Sequence, residues 1–345
     1  MKKKMSFIIG TLALTLGLSA CGVTKNNSNE TKEETKKANT ETAETTETSW
    51  PEGPVTAVLH AAAGGDTDFN ARTFATYFEE ITGQPMIITN MPGSSGVAAT
   101  ENVKQAKADG NTFLFTHTGP LVVNKVSGLI DYDYSDFDVS NIPAVDGGTI
   151  LVASKQSGLK NFDDVVKKAK EAPGKIVFGT EFGNFSHLQV LMLQDKADIE
   201  FKLADIGSTA DKVTNLVGGR IDLAAITYGS VKDYIKTGDM IPIAQFNEEQ
   251  NPFLGDIPTL KSKGIDMVMD KPYIIAFPKG TDPAIIKKMS DIAVEIGKNK
   301  DYAKKIEEGF SQEAKVMPTV EALKYLDGIR EDYMKYKDIL QGANK

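Results

Sequence analysis

The fold is decided by one stretch near the start of the predicted folded body. Residues 55–104 read VTAVLHAAAGGDTDFNARTFATYFEEITGQPMIITNMPGSSGVAATENVK. Each half of this stretch passes from a short β-rich run, through a glycine-rich segment, into an amphipathic segment. These patterns are typical of a strand, a loop and a helix, in that order. Their repetition predicts an α/β body built from βαβ units, with mostly parallel sheets flanked by helices.

The same alternation continues through the rest of the chain. Further candidate strands are residues 112–116, 150–153, 175–178, 199–203, 223–227, 241–245 and 273–277. A body of about 295 residues is larger than one comfortable core, so we expect two lobes. We place the crossings between them near residues 146–148 and 246–255. Residues 51–148 and 246–345 then form lobe 1, and residues 149–245 form lobe 2.

The first 50 residues predict a membrane address and a tether. Residues 1–20 combine three lysines with an uncharged run too short to span a bilayer, which is typical of a secretory signal peptide. Leu18-Ser19-Ala20-Cys21 resembles the bacterial lipobox, whose cysteine carries acyl chains such as palmitate. We expect Cys21, the single cysteine, to be lipidated; a plain signal peptide with a chance cysteine is the alternative. Residues 21–50, rich in Thr, Glu and Lys, predict a disordered stalk that anchors an extracytoplasmic body to the cell membrane.

Composition excludes several classes of function. The chain has 345 residues, 39 Lys+Arg against 47 Asp+Glu and a formal net charge of −8, which argues against nucleic-acid binding through bulk basic charge. One cysteine forbids an internal disulfide and a multi-cysteine zinc site. His60, His117 and His187 lack the spacing of metal ligands. The sequence contains no nucleophile–base set and no phosphate loop, so we expect no metal, no cofactor and no enzyme activity.

Two glycine-rich loops form the candidate binding site on lobe 1. In open α/β sheets, ligands bind at the carboxyl ends of strands, where glycines let the amides of helix N-termini approach an anion. The candidate ligand-binding residues of these loops are Gly64, Gly65, Thr67, Asp68, Gly93, Ser94 and Ser95. Because the body is negatively charged, we expect backbone amides rather than bulk cationic charge to attract the anion. The structural alternative is that Thr67 and Asp68 cap a helix.

Seven segments in succession resemble the substrate-binding proteins of tripartite tricarboxylate transporters, the Bug family. They are residues 64–72 (GGDTDFNAR), 90–93 (NMPG), 106–113 (AKADGNTF), 183–188 (GNFSHL), 216–222 (LVGGRID), 257–260 (IPTL) and 278–283 (PKGTDP). Each motif is loose, but their order over about residues 53–340 is specific. The resemblance implies a two-lobed type II periplasmic-binding-protein (Venus flytrap) fold, with a ligand cleft between the lobes.

The departures from the family pattern fall on lobe 2. Glu181 stands where the family commonly has glycine, and residues 205–209 (DIGST) lack the family's tyrosine and basic residue. We expect Thr180, Glu181, Ser208 and Thr209 to complete the ligand site. A carboxylate at 181 that faces the cleft disfavours a second anionic group of a ligand and instead accepts from an amino or hydroxyl group.

The resemblance also implies a function. We expect a solute-binding lipoprotein that captures a small organic carboxylate between its lobes and delivers it to the membrane subunits of a tripartite transporter. A ligand-dependent sensor that signals to a receptor kinase is an alternative, and an extracytoplasmic enzyme is a weaker one.

Overall fold

The computed structural model describes residues 48–343. The predicted signal peptide, Cys21 and nearly all of the predicted stalk lie outside the described residues. The described residues fall within one compact unit, Thr45–Lys345. At its start, the indole of Trp50 packs edge-on against Phe78 and Phe277 and donates to the carbonyl oxygen of Gly110 at 3.1 Å.

Two sheets and their flanking helices make up this unit. The strands are β1 Val55–Leu59, β2 Met86–Asn90, β3 Thr112–His117, β4 Phe137–Ile142, β5 Val145–Asp146, β6 Thr149–Ser154, β7 Val177–Thr180, β8 Lys202–Asp205, β9 Leu223–Thr227, β10 Met240–Gln245, β11 Lys271–Pro278 and β12 Met317–Pro318. The α-helices are α1 Asp66–Thr82, α2 Val97–Lys104, α3 Asn124–Val126, α4 Phe162–Glu171, α5 Phe185–Ala197, α6 Thr209–Val217, α7 Lys232–Thr237, α8 Pro283–Gly297, α9 Lys300–Phe310, α10 Thr319–Met334 and α11 Lys337–Ala343. A π-helix spans Gly119–Val123, and short 3-10 helices span Ser94–Gly96, Tyr134–Asp136, Lys155–Ser157, Tyr228–Ser230, Pro252–Leu254 and Lys261–Lys263.

The first sheet is buried on both faces. Its strand order is β12-β4-β11-β3-β1-β2, and β5 pairs with the start of β11. Side chains alternate along each strand: Leu59 and Phe115 join the core that includes α1 and α8, whereas Val58 and Leu114 join the core that includes α2. Burial of such a side chain contributes roughly 1.5–3 kcal/mol. This two-sided burial explains why β1 and β3 are almost continuously apolar in sequence.

The second sheet is built from the middle of the chain. Its order is β10-β6-β9-β7-β8, and all its strands lie between residues 149 and 245. Strands β6 and β9 are buried along their whole length, and α5 is apolar around most of its circumference. The sheets therefore draw on separate sequence ranges, 55–146 with 271–318 and 149–245. The predicted lobe boundaries at residues 148 and 245 stay predictions.

The α/β class is confirmed, but the expectation of mostly parallel sheets needs correction. Pairs of β1 with β2 and β3, and of β7 with β8 and β9, are parallel. Strand β11 is antiparallel to β3 and β4, and β6 is antiparallel to β9 and β10. Each of these reversed strands is the first long one after the chain crosses from one sheet to the other. Residues 147–148 lead into β6 and residues 246–270 lead into β11, and neither connection contains the α-helical crossover that makes neighbours parallel.

Strand β4 was not predicted, because its sequence FDVSNI lacks a continuous apolar run. Its buried Ser140 is hydrogen-bonded inside the protein: Oγ donates to the carbonyl oxygen of Ile286 at 3.1 Å and accepts from Asn141 Nδ2 at 2.9 Å. Over residues 48–343, no helix combines the length and the apolar character needed to cross a membrane.

Candidate functional site

The loop after β1 is held in place by Asp68. This buried carboxylate accepts from the backbone amide of Gly64 at 2.9 Å, from Arg72 Nε at 3.0 Å and from Asn90 Nδ2 at 3.0 Å. Burial alone would raise the pKa of Asp68, but the hydrogen bonds from these three donors outweigh it and lower the pKa. Because Asn90 also donates to the carbonyl oxygen of Ala61 at 2.9 Å, it ties the first glycine loop to the second. Asp68 therefore fixes the conformation of the first glycine loop through its hydrogen bonds.

The loop after β2 runs through four consecutive residues with positive φ. Gly93, Ser94, Ser95 and Gly96 have φ of 113°, 49°, 52° and 87°. A Cβ on Gly96 would lie 2.6 Å from Pro120 Cγ, so this position requires glycine, whereas Gly93 has open space around it. Two serines in the left-handed region cost roughly 1–2 kcal/mol each. Local strain of this kind is concentrated at binding sites, which favours a functional role for the loop.

The loops of the two sheets meet at the second glycine loop. Ser95 Oγ donates to the carbonyl oxygen of Phe182 at 3.1 Å, and Asn124 Nδ2 donates to the carbonyl oxygen of Ser95 at 2.9 Å. Phe182 lies in the loop between β7 and α5, next to the predicted residues Thr180 and Glu181. The structure therefore brings Ser95 from the first sheet and Thr180–Glu181 from the second into one neighbourhood.

Three groups lie within hydrogen-bond distance of the hydroxyl oxygen of Ser186, in the first turn of α5. Thr180 Oγ1 and the backbone amide of Glu181 each lie 3.1 Å from Ser186 Oγ, and Lys212 Nζ lies 2.9 Å from it. Burial raises the pKa of the Glu181 carboxyl, while the charge of Lys212 and a hydrogen bond from Asn184 oppose this rise. Thr180 is fully buried, so its hydroxyl serves this network.

Lys212 is a residue of this neighbourhood that the sequence reasoning missed. It lies in α6 and is only 5% exposed. Burial lowers its pKa to about 8, although the negative charge of Glu181 acts to raise it. The sequence did carry a signal: Lys212 stands four residues before the buried Leu216, so it occupies the apolar face of the helix.

Ser208 and Thr209, by contrast, begin α6. Ser208 Oγ accepts from the backbone amide of Asp211 at 3.3 Å, and the backbone amide of Ser208 donates to Asp211 Oδ2 at 3.2 Å, which forms a capping box. Ser208 Oγ also donates to Asp211 Oδ2 at 2.6 Å. The side chain of Ser208 is thereby engaged as a helix cap. Among the first-loop residues, Thr67 lies buried in the first turn of α1, whereas Gly64 is exposed and Gly65 half-exposed.

Two buried histidines lie under the glycine loops at the ends of β1 and β3. His60 Nε2 and His117 Nε2 are 3.1 Å apart, the amide of Gly119 donates to His117 Nδ1 at 2.9 Å, and Thr116 Oγ1 lies 2.9 Å from His60 Nδ1. We assign both rings as neutral: His117 Nε2–H donates to His60 Nε2, and His60 Nδ1–H donates to Thr116. Burial lowers the pKa of His60 to about 4 and that of His117 well below its usual value.

A second buried lysine, Lys271, joins α1 to both sheets. Its Nζ lies 2.5 Å from Asp66 Oδ2 and 3.0 Å from Asp146 Oδ2, and it donates to Thr227 Oγ1, at the end of β9, at 3.4 Å. Burial alone would lower the pKa of Lys271, but the charges of Asp66 and Asp146 outweigh it and raise the pKa. Tyr273 donates to Asp66 Oδ2 at 2.9 Å and completes the network.

Two surface cavities lie apart from these loops. A cavity of about 680 Å³ is lined by residues such as Leu191 and Ile339, and one of about 300 Å³ by residues such as Leu159 and Ile176. Neither includes a predicted site residue. Within residues 48–343, no group of three or more His, Cys, Asp or Glu side chains is placed to hold a metal ion.

Comparison with known proteins supplies the family. The sequence profile described as "Tripartite tricarboxylate transporter family receptor" matches residues 70–344. The chain belongs to this family of transporter receptors. Among the receptor's relatives, the Cupriavidus necator "UPF0065 protein in gbd 5'region" is 29% identical over 246 residues, which are 70% of this chain and 74% of the relative. BugT of Bordetella pertussis is 25% identical over 241 residues, 69% and 74% of the two chains.

Solved structures share the receptor's fold. MatC from Rhodopseudomonas palustris with bound malate has a TM-score of 0.74 at 21% identity and covers 85% of this chain and 100% of its own. Rpa4515 of R. palustris with adipate has a TM-score of 0.76 at 21% identity, covering 85% and 98%. The periplasmic binding protein BugD has a TM-score of 0.73 at 22% identity, covering 86% and 99%. The predicted family and the predicted type II periplasmic-binding-protein fold are confirmed.

Proposed function

We propose that this receptor is an extracytoplasmic solute-binding lipoprotein. It captures a small organic carboxylate between two lobes, residues 51–148 with 246–345 and residues 149–245, and it is not an enzyme. Lipid chains on Cys21 hold it at the cell membrane, where it delivers the solute to the membrane subunits of a tripartite tricarboxylate-type transporter. Family membership, together with the malate and adipate bound by two proteins of the same fold, supports this proposal.

The observation that carries the proposal is the meeting of loops from both sheets around anion-binding groups. The two glycine loops precede α1 and α2, so amides of helix N-termini are presented there. The loop after β7 contacts the second glycine loop through Ser95 and Phe182 and brings the buried ammonium of Lys212 with it. An anion held by such loops contacts both halves of the molecule and favours their closed arrangement.

Direct binding of carboxylates tests the solute class. Thermal melting of the full-length protein is measured against a broad set of mono-, di- and tricarboxylates, with amines and sugars as negative sets. We expect at least one compound of the carboxylate set to raise the melting temperature in a concentration-dependent way, since a ligand that binds only the folded state stabilises it. A set of carboxylates without any effect, beside an amine or sugar that does stabilise, would contradict the proposal.

Membrane attachment and delivery need their own experiments. Cells fed radiolabelled palmitate should label the wild-type protein but not the Cys21→Ala variant, and only the wild type should sediment with membranes. Cross-linking in the presence of the bound carboxylate should capture transporter subunits. Capture of a receptor kinase instead would favour the sensor alternative.

A further inference from the structure

Lys212 is a buried cation whose hydrogen-bonding capacity is not filled by the described residues. Its ammonium group has three N–H donors. One of them donates to Ser186 Oγ at 2.9 Å, and within residues 48–343 no carboxylate oxygen lies within 4.0 Å of Nζ. The side chain is 5% exposed, so water does not replace the missing partners freely. A buried ammonium in this state is destabilising until an anion approaches it.

Lys271 shows what a structural buried lysine looks like in the same protein. It is comparably buried, but two carboxylates contact its Nζ, at 2.5 Å from Asp66 and 3.0 Å from Asp146. Each of these carboxylates is itself hydrogen-bonded, to Tyr273 and Thr227 respectively. Lys271 therefore needs nothing further, whereas Lys212 is placed to receive an anion from outside the chain.

Glu181 lies beside Lys212 without contacting it. The backbone amide of Glu181 and the ammonium of Lys212 donate to the same atom, Ser186 Oγ, at 3.1 Å and 2.9 Å. The two charges are close enough for each to influence the other's pKa, but they do not form an ion pair within 4.0 Å. The backbone of Glu181 and the ammonium of Lys212 are thus anchored to one hydroxyl, while the two opposite charges stay unpaired. This arrangement leaves a place for a ligand group with a negative end and a hydrogen-donating end.

We propose that Lys212 and Glu181 form a recognition pair for the ligand. Lys212 binds a ligand carboxylate, and Glu181 accepts a hydrogen bond from a hydroxyl or ammonium group next to that carboxylate. The preferred solute is then a hydroxy- or amino-substituted organic acid rather than an unsubstituted polycarboxylate. This inference rests on the proposed function and narrows its solute class.

Matched sets of ligands test the pair. Each set shares a carbon skeleton and carries either no substituent, a hydroxyl or an amino group: propionate, lactate and alanine; succinate, malate and aspartate; glutarate, 2-hydroxyglutarate and glutamate. Affinities for the full-length protein are measured by calorimetry. In the set that binds, we expect the hydroxy or amino member to bind at least about tenfold more tightly than the unsubstituted acid. If the hydroxy acid binds more tightly than the amino acid, the group that donates to Glu181 is a hydroxyl; if the amino acid binds more tightly, it is an ammonium.

Variants assign the two roles. Lys212→Met removes the cation but keeps a side chain of similar length, and it should weaken the affinity for every carboxylate by about a hundredfold. Lys212→Arg keeps a positive charge and should retain part of the affinity. Glu181→Gln should reduce the preference for the substituted acid about tenfold and leave the unsubstituted acid unchanged or tighter. Lys196→Met, which changes an exposed lysine of α5, is the matched control and should bind as the wild type does.

Stability separates a ligand-binding lysine from a structural one. Lys212→Met should raise the melting temperature of the unliganded protein, since it removes an unpaired buried charge, and should diminish the rise produced by ligand. Undiminished carboxylate affinity in Lys212→Met, or equal effects of Glu181→Gln on all members of a set, would overturn the inference while leaving carboxylate binding intact. Failure of the wild type to bind any carboxylate would instead overturn the proposed function.

Discussion

His60 Nε2 lies 3.1 Å from His117 Nε2, so the two imidazoles share a single proton along the line between them. The amide of Gly119 fixes the acceptor nitrogen of His117, and Thr116 engages the other nitrogen of His60. A second proton on this pair would place two donors against each other in a buried site. The pair is therefore stable only as two neutral rings.

We expect this pair to make the protein sensitive to acid. Both folded-state pKa values are lowered, so the unfolded state binds more protons once the pH falls below about 6.5. The stabilisation is fully present above that pH and is lost as the pH falls toward about 4, the lowered pKa of His60. Each histidine contributes a slope of up to about 1.4 kcal/mol per pH unit. Burial is the main cause; Asp66 opposes it for His60, while Lys271 adds to it for both rings and Lys212 for His117.

Urea unfolding at pH 7, 6 and 5 measures this slope. His60→Gln retains an acceptor toward His117 but cannot take up a proton, so its free energy of unfolding should fall less steeply with acid than that of the wild type. Equal slopes in the two proteins would mean that the histidine pair does not titrate on unfolding.

The affinity for a carboxylate should depend on pH through Lys212. Its pKa in the unliganded protein is lowered to about 8, so the ammonium is mostly charged at pH 7 and mostly neutral at pH 9. If Lys212 binds the ligand, affinity should fall about tenfold between pH 7 and pH 9. The Lys212→Arg variant should bind with nearly constant affinity over this range, because arginine does not lose its proton there. Calorimetry at three pH values checks this, and parallel pH profiles would count against a role for Lys212.

The Gly65→Ala variant should lower ligand affinity without a large change in stability. Gly65 has φ −84° and ψ 177°, and a Cβ there would find its nearest neighbour, the carbonyl oxygen of Ala62, at 3.8 Å. Alanine should therefore leave the free energy of unfolding within about 1 kcal/mol of the wild type. If a ligand approaches this backbone closely, its affinity should nevertheless fall about tenfold.

Gly238→Ala is the control for Gly65→Ala. Gly238 ends α7 with φ 76°, where a side chain is strained although space is open. That variant should lose about 1 kcal/mol of stability and keep its affinity. An unchanged affinity in Gly65→Ala would show that the first glycine loop does not touch the ligand.

Removal of Lys271 should destabilise the protein strongly. Lys271→Met leaves Asp66 and Asp146 buried without their cation, and a loss of about 3–5 kcal/mol is expected for a broken buried ion pair. Asp146→Asn should cost less, because the contact of Lys271 with Asp66 stays and the asparagine oxygen can still accept from the amide of Gly148. Urea unfolding at pH 7 compares the two variants; a larger loss in Asp146→Asn would show that Asp146, not Lys271, organises the network.

Local patterns in the sequence predicted most of the fold. β-branched runs followed by glycine loops gave β1, β2 and their helices, because two-sided burial demands apolar residues that are visible in sequence. Strand β4 was missed because its buried Ser140 donates to the carbonyl oxygen of Ile286, a partner that only the tertiary structure supplies. The reversal of β6 and β11 depends on how the chain crosses between sheets, which no local pattern encodes.

The site was predictable to a smaller extent. Glycine loops are visible in the sequence because they contain residues that tolerate positive φ. The structure places Ser95 of one such loop against the loop that follows Thr180. The side chains of Asp68 and Ser208 accept hydrogen bonds from the backbone of a loop and of a helix, and their predicted contacts with a ligand stay predictions. Lys212 was overlooked because a lysine on a helix is usually solvated, and its burial depends on neighbours far away in sequence.

The position of β11 also bears on the order in which the protein can form. Strand β4 pairs with β11 and β12, which lie more than a hundred residues later in the chain. During synthesis, β4 therefore stays unpaired until residues 271–278 have emerged from the ribosome. The second sheet is contiguous in sequence and is complete by residue 245, so it can assemble earlier. A nascent chain thus passes through a stage in which the second sheet is complete while β3 lacks one partner and β4 lacks both. These exposed strand edges make that stage open to aggregation or to a chaperone.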